Sequence, residues 1–543
     1  MTRGPLAVPL AAALLAVALP WAARAGSGVG TAEGGRERPE SPAAGQAALQ
    51  ALKALADEDV TRARALLAPF EPLDGAGQSI AFAGGVLRFF EQRYGEAVAL
   101  IEGSGAGNAG GYLALARAAQ AVTRDDTRAE GEHFAISYPK GKDEVLVPYL
   151  LEALEKQREV LAAAVGEPPP GRLTVEVVSD VAGLSRLSTL TEAEIRTSGT
   201  VAVAKFGKLM LLSPKALLKG YDWLDTAAHE YVHNVVTFRT RNRAPIWLQE
   251  GLAKWFEARW RGGGEPLSPY SAALVRDAVA RDRLVTFQEM HPSLAKLPSQ
   301  ERAALAYAQV VLAVEFLVKE KGPGAISRVV EQVGKGKSAE EAVADAAGEP
   351  FPRFLADWKR YLALRPLPRG GDHELRKLRF RDDPKQGGAW AEWAEIGDPD
   401  ARGFARLGEL FRERGRWTSA RLEYAKAYAK VGGRVPILAG QYALAARMSG
   451  APGEAEQVLT EALGWNPGYP ALNVQLARIL VEKQDWAGAR DRLLAANRED
   501  PLDPEIHAGL AQALTALGDP GGASREGRFA AILAGRPAPE GHP

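Results

Sequence analysis

His229-Glu230-Tyr231-Val232-His233 sets two imidazoles four positions apart with a carboxylate between them. On a helix, residues i and i+4 share one face about 5–6 Å apart, so His229 and His233 reach a single ion. Glu230 points roughly 100° away around the axis, beside the ion's open position, where it can take a proton from a metal-bound water. Downstream, Trp247-Leu248-Gln249-Glu250-Gly251-Leu252-Ala253 offers Glu250 as a third, anionic ligand. Two imidazoles and a carboxylate leave the fourth place of a tetrahedral zinc open, which is the catalytic rather than the structural arrangement. The plain alternative, two core histidines satisfied by hydrogen bonds, leaves Glu230 and Glu250 beside them without a reason.

Two helices must position these groups. Asp225-Thr226-Ala227-Ala228 before the run and Asn234-Val235-Val236 after it supply apolar positions at helical spacing around the histidines. Pro245 falls where a second helix begins, and Ile246, Leu248 and Leu252 are its apolar positions. A metzincin pattern needs a Gly three residues and a His six residues after the second His. Those positions hold Val236 and Arg239, so that branch is excluded. A glutamate ligand on a separate downstream helix is the gluzincin arrangement. The wording Trp-Leu-x-Glu-Gly-Leu-Ala resembles the bacterial peptidase MA-like metallopeptidases, a branch of the gluzincins, over residues 130–363. The resemblance implies a zinc-dependent endo- or aminopeptidase fold in which Glu250 matches the third ligand.

One position departs from thermolysin-like enzymes, which place an Asp four residues after the glutamate ligand to support a histidine; here it is Lys254. A ligating His donates its other N–H to a carboxylate or carbonyl. Asp225, one turn before His229, and Glu257, two turns after Glu250, are the candidates. For the donor that stabilises the oxyanion, Tyr307 in Leu305-Ala306-Tyr307-Ala308-Gln309 resembles the family's Tyr-x-Gln segment, with core packing as the competing reading. His291, before Pro292, is the second candidate.

The wider chain frames this centre. Its 67 basic and 67 acidic residues balance, which points to neither nucleic acid nor an anionic membrane as the main partner. Arg3, the apolar run Leu6 to Leu19, Pro20 and Ala23-Arg24-Ala25 read as a secretory signal over residues 1–25, cleaved after Ala25. No other segment is long and apolar enough to span a bilayer, so the mature chain is expected outside the cytoplasm, periplasmic or extracellular, without a membrane span. With no cysteine, no disulfide braces the exported fold.

Ala420, Ala455, Ala489 and Ala523 recur 35, 34 and 34 residues apart, each after a turn at Gly415, Gly450, Gln484 or Gly518. A second Ala follows seven residues on, at Ala427, Ala462, Ala496 and Ala530. The spacing resembles tetratricopeptide repeats, in which paired helices pack closely at small residues. A weaker echo, Ala63 and Ala97 34 apart, marks one or two degenerate repeats or a simple bundle near the N-terminus. Between the arrays, Phe134–Tyr138 and Leu173–Val178 read as strands, Val145–Val165 as a helix, and 201–204 with 209–212 as a hairpin just before the zinc helix. Gluzincin-like folds, by resemblance, lay such an edge strand over the cleft.

The expected fold is an α+β gluzincin-like metallopeptidase domain, a small sheet plus a helical subdomain, flanked by all-α helical-repeat regions. Its divisions are a signal (1–25), a linker (26–45), a degenerate repeat region (46–125), the metallopeptidase domain (130–363), a linker (364–400), four repeats (401–535) and a tail (536–543). The expected function is zinc-dependent hydrolysis of peptide bonds by a secreted enzyme, with the repeats recruiting a protein partner or substrate. A non-catalytic zinc-containing repeat scaffold of the cell envelope is the alternative, as is a zinc hydrolase of a non-peptide amide such as peptidoglycan.

Overall fold

The computed structural model describes residues 41–106, 109–291, 294, 297–367, 378–383, 393 and 396–536. The signal segment, most of the first linker, much of the second and nearly all of the tail lie outside the described residues. Two compact units divide the chain. The first gathers the described residues of Met1–Pro139, Leu150–Leu212 and Asp225–Gly370; the second gathers those of Lys140–Tyr149, Ser213–Leu224 and Gly371–Pro543.

The first unit begins with five helices: α1 (Pro42–Ala56), α2 (Val60–Leu67), α3 (Gln78–Phe90), α4 (Tyr94–Gly103) and α5 (Tyr112–Val122). A five-stranded sheet follows, built from β1 (Asp126–Glu130), β2 (Phe134–Pro139), β3 (Leu173–Val178), β4 (Ala202–Lys205) and β5 (Lys208–Leu212) in the order β1-β2-β3-β5-β4. The central strands β2, β3 and β5 run parallel, and the two edge strands are antiparallel to their neighbours. A parallel pair needs a long crossover, supplied between β2 and β3 by α6 (Val147–Ala164). Central parallel strands are covered on both faces, which is why Leu-Thr-Val-Glu-Val-Val and Lys-Leu-Met-Leu-Leu are almost wholly buried. The two charges in those runs answer each other: Lys208 Nζ lies 2.6 Å from Glu176 Oε2. β1, reading Asp-Thr-Arg-Ala-Glu, was not expected from the sequence, because an exposed edge carries no apolar alternation.

Short helices α7 (Val181–Leu187) and α8 (Glu192–Ser198) lead into the β4–β5 hairpin. Beyond it come α9 (Trp223–Thr240) and α10 (Ile246–Phe256), then five further helices: α11 (Pro269–Ala280), α12 (Gln300–Lys321), α13 (Gly324–Gly334), α14 (Ala339–Ala347) and α15 (Phe351–Leu364).

In the second unit, helix pairs follow the 34-residue period: α16 (Pro399–Glu413) with α17 (Trp417–Val431), α18 (Pro436–Met448) with α19 (Pro452–Trp465), α20 (Pro470–Glu482) with α21 (Trp486–Asn497), and α22 (Pro504–Ala516) with α23 (Pro520–Leu533). Ala420, Ala455 and Ala489, and Ala427, Ala462 and Ala496 seven residues on, are fully buried where the paired helices meet. Ala523 and Ala530 of the last pair are only partly covered, as befits an end of the stack. Two earlier stretches belong to this unit. Trp223 Nε1 donates to the Asn497 carbonyl at 2.9 Å. Tyr149 Oη donates to Glu526 at 2.7 Å, and His507 Nδ1 meets the same carboxylate at 2.7 Å.

The four intra-pair turns pass through the left-handed region, with φ of +67° at Gly415, +83° at Gly450 and +80° at Gly518, but +60° at Gln484. A side chain there costs about 1–2 kcal/mol that glycine avoids. Gln484→Gly should therefore raise stability by about 1 kcal/mol, read as a higher urea midpoint at unchanged slope. An unchanged or lower midpoint would contradict the turn assignment.

Candidate metal centre

α9 is buried on most of its circumference: Leu224, Ala227, Ala228, Tyr231, Val232, Val235 and Val236 are all in the core. Before the last turn, where Phe238 and Arg239 are also partly covered, the less covered positions are Thr226, His229, Glu230, His233 and Thr237, so the helix turns one polar seam away from the packed interior. α10 does the same with Glu250, Lys254 and, just past its end, Glu257, while Trp247, Leu248, Leu252 and Phe256 are buried. Gly251 sets the approach of α10 to α12. A Cβ at Gly251 would lie 2.9 Å from the Val310 carbonyl oxygen, so only glycine allows this spacing.

The structure brings His229, His233 and Glu250 together. His229 Nε2 and His233 Nε2 are 3.1 Å apart, and Glu250 Oε2 is 3.4 Å from the first and 3.5 Å from the second. Among the described residues this is the one cluster of three or more His, Cys, Asp or Glu able to hold a metal ion. Zinc bonded at its usual 2.0–2.2 Å with tetrahedral angles holds its ligand atoms about 3.3–3.5 Å apart. The two edges to Glu250 have that length, and the edge between the imidazoles, at 3.1 Å, is slightly shorter.

The neighbours fix which nitrogen faces inward. His229 Nδ1 lies 3.0 Å from Glu257 Oε2, an acceptor, so Nδ1 carries the proton and Nε2 presents its lone pair. Lys254 Nζ grips the other Glu257 oxygen at 2.5 Å. His233 Nδ1 faces Gln249 Oε1 at 3.3 Å, and the Gln249 amide is oriented by donating to Thr237 Oγ1 at 3.2 Å. Two imidazole lone pairs and a carboxylate oxygen therefore converge, a donor set that fits a divalent cation. Burial alone would lower the His229 pKa, but without a cation between them Glu250 and Glu257 outweigh it and hold a proton on the ring, raising the pKa to about 10; a bound cation would take the place of that proton on Nε2. Burial would likewise raise the Glu250 pKa, and the two imidazoles hold it well below the carboxylate range.

Glu230 stands beside the triangle with Oε2 accepting the Ala204 amide of β4 at 2.7 Å. Tyr307, on α12, is half-buried, and its hydroxyl hydrogen-bonds to none of the described residues. Burial, then the Glu250 and Glu230 carboxylates, push its pKa far above the ordinary phenol value, so it stays protonated. Gln309 is instead a brace: its amide holds the Val285 backbone at 2.8 and 2.9 Å. Asp225, the other candidate support for His229, accepts from Trp260 Nε1 and Arg261 Nε, both at 2.9 Å. His291 is exposed and lines a cavity of about 480 Å³ with Trp247, Phe287 and Trp358; none of the centre's residues lines it. Gln249, Thr237 and the Ala204 amide had no marker in the sequence.

Residues 194–363 match the family model of the Peptidase MA superfamily, and residues 446–513 match that of the tetratricopeptide repeat. No curated protein matches it. Among solved structures it is similar to an M1 zinc metallopeptidase of Deinococcus radiodurans, at 19% identity and a TM-score of 0.28 over 45% of this chain and 54% of that one. Native leukotriene A4 hydrolase of Saccharomyces cerevisiae gives 11% identity and a TM-score of 0.32 over 76% and 67%. The Cut9–Hcn1 hetero-tetramer gives 12% and 0.23 over 91% and 88%. The chain thus spans about half the length of the first of these structures.

Loss of an outer partner of a ligating histidine costs about 10–100-fold in metal affinity. Glu257→Gln should weaken zinc binding by that factor in a competitive chelator titration, with the helical circular dichroism unchanged. Unaltered affinity would remove Glu257 from the site.

Proposed function

We propose that this chain is an exported zinc-dependent peptidase that cuts peptide bonds, with its repeats recruiting a protein partner or substrate. The single observation that carries the reading is the convergence of His229 Nε2, His233 Nε2 and Glu250 Oε2 with the Glu230 carboxylate beside them. When bound, zinc would supply a Lewis acid for the scissile carbonyl and acidify the attacking water.

The chain's own groups do the rest. His229, His233 and Glu250 are the ligands. Glu230 is the general base: one oxygen is anchored by the Ala204 amide, and the other is left to take the proton and pass it to the leaving amine. Tyr307, kept protonated by its surroundings, is the donor to the developing oxyanion.

Substrate alignment falls to β4, at the sheet edge. Leu212 N–H donates to the Val201 carbonyl at 2.8 Å, and antiparallel alternation then turns the main-chain groups of Ala202 and Ala204 away from β5. The Ala204 N–H already serves Glu230, so the outward groups that suit pairing with an extended peptide are the Ala202 N–H and C=O and the Ala204 C=O. Among the described residues no helix is long and apolar enough to cross a membrane.

Glu230→Gln should keep stoichiometric zinc by metal analysis yet lower kcat on a peptide library by about 10²–10⁴-fold. Full activity in that variant would sink the assignment, and a zinc-loaded wild type that cleaves no peptide would favour the scaffold or a non-peptide amide. Tyr307→Phe should lower kcat about 10²–10³-fold with KM nearly unchanged. A fall confined to KM would place Tyr307 in substrate binding instead.

A further inference from the structure

The hairpin that supplies the Ala204 amide is gripped from outside the sheet. Its turn, Phe206-Gly207, has φ of +60° and +66°, the two left-handed residues of a tight type I′ connection. Asn, Asp or Gly normally lead such turns at the surface. Here the leading residue is a phenylalanine with no exposed area. Its ring sits 5.1 Å from Phe89 and 5.8 Å from Phe90, both on α3, and 6.4 Å from Tyr112 on α5.

The backbone of the turn is held as well. Phe206 N–H donates to Glu58 Oε1 at 3.2 Å, and Glu58 occupies the α1–α2 connection with φ of +59°. Burial raises the Glu58 pKa, against the pull of the Phe206 and Gly207 amides. A third hold lies one residue beyond the turn, where the buried Lys208 Nζ donates to Tyr94 Oη of α4 and to Glu176 Oε2, both at 2.6 Å. Two residues before Phe206, Ala204 N–H meets Glu230 Oε2.

A hairpin clamped at its tip by three helices and attached through one amide to the Glu230 carboxylate is a positioning device. We infer that the N-terminal helices set the placement of Glu230, with Glu58 as the positioning residue, rather than forming a separate recruiting module. The inference rests on the reading of Glu230 as general base for its kinetic consequence, but not for the mechanical link.

The full-length, zinc-loaded protein tests it through three variants. Glu58→Ala removes the acceptor, and Glu58→Gln restores one. Phe206→Asn gives the turn a residue it favours while emptying the aromatic box. With Glu58→Ala and Phe206→Asn, hydrogen exchange of the 201–207 segment, followed by mass spectrometry, should quicken at least tenfold at unchanged zinc content. kcat should fall about tenfold or more, KM should change little, and Glu58→Gln should recover most of both. Unchanged exchange in Glu58→Ala and Phe206→Asn overturns the clamp. Faster exchange with unchanged kcat in an active enzyme overturns the positioning role. Faster exchange in a protein whose wild type cleaves no peptide supports the clamp and defeats the peptidase reading instead.

Discussion

The centre depends on the distance between two helices. His229 and His233 come from α9 and Glu250 from α10, so three ligand atoms spaced 3.1–3.5 Å apart require the helices to be fixed to within a fraction of an ångström. Gly251 provides that constraint from behind. With no side chain to hold them apart, the Val310 carbonyl of α12 approaches the α10 backbone, and Glu250 stands one residue away, about 100° around the helix. The same contact brings α12, and with it Tyr307, into the neighbourhood of Glu250 and Glu230. A packing decision at one glycine thus reaches both the ligand set and the candidate oxyanion donor.

Around the ligands lies a shell of polar groups whose order is as informative as the ligands themselves. Lys254 stands where thermolysin-like enzymes carry a carboxylate, and the structure shows what replaces it. The carboxylate moves to Glu257 at the end of the helix, and Lys254 neutralises and aims it. His233 is served by a neutral chain, Gln249 to Thr237. One imidazole is therefore backed by a charge and the other by a dipole, which gives the two nitrogens unequal donor strength.

What could be read from the chain, and what could not, follows from the kind of group involved. The ligand pattern was legible because histidines are scarce here and their spacing is that of a helix face. The repeats were legible from small residues at a fixed period, and even their irregular member, Gln484, falls at the expected turn. Glu257 could be named only as one of two candidates. Choosing it over Asp225 requires knowing that Trp260 and Arg261 fold back onto Asp225. Gln249 occupies the variable position of its motif, and the Ala204 amide is backbone, so neither has a signature of its own. β1 lacked one because both its faces are largely wet. The grip of Glu58 on Phe206 joins residues 148 apart, beyond the reach of any local pattern.

The unit that holds the repeats is also made of residues 140–149 and 213–224, and Tyr149 finds Glu526 377 positions later. A ribosome delivers the chain from its N-terminus, so those two early stretches are synthesised long before the helices that receive them. Until α21 and α23 exist, Trp223 and Tyr149 have each other, with ring centroids 6.4 Å apart, but neither the Asn497 carbonyl nor the Glu526 carboxylate. These contacts close very long loops, whose entropic cost grows only slowly with length but whose search is slow. The helices of the repeat unit thus complete contacts begun hundreds of residues earlier in the chain.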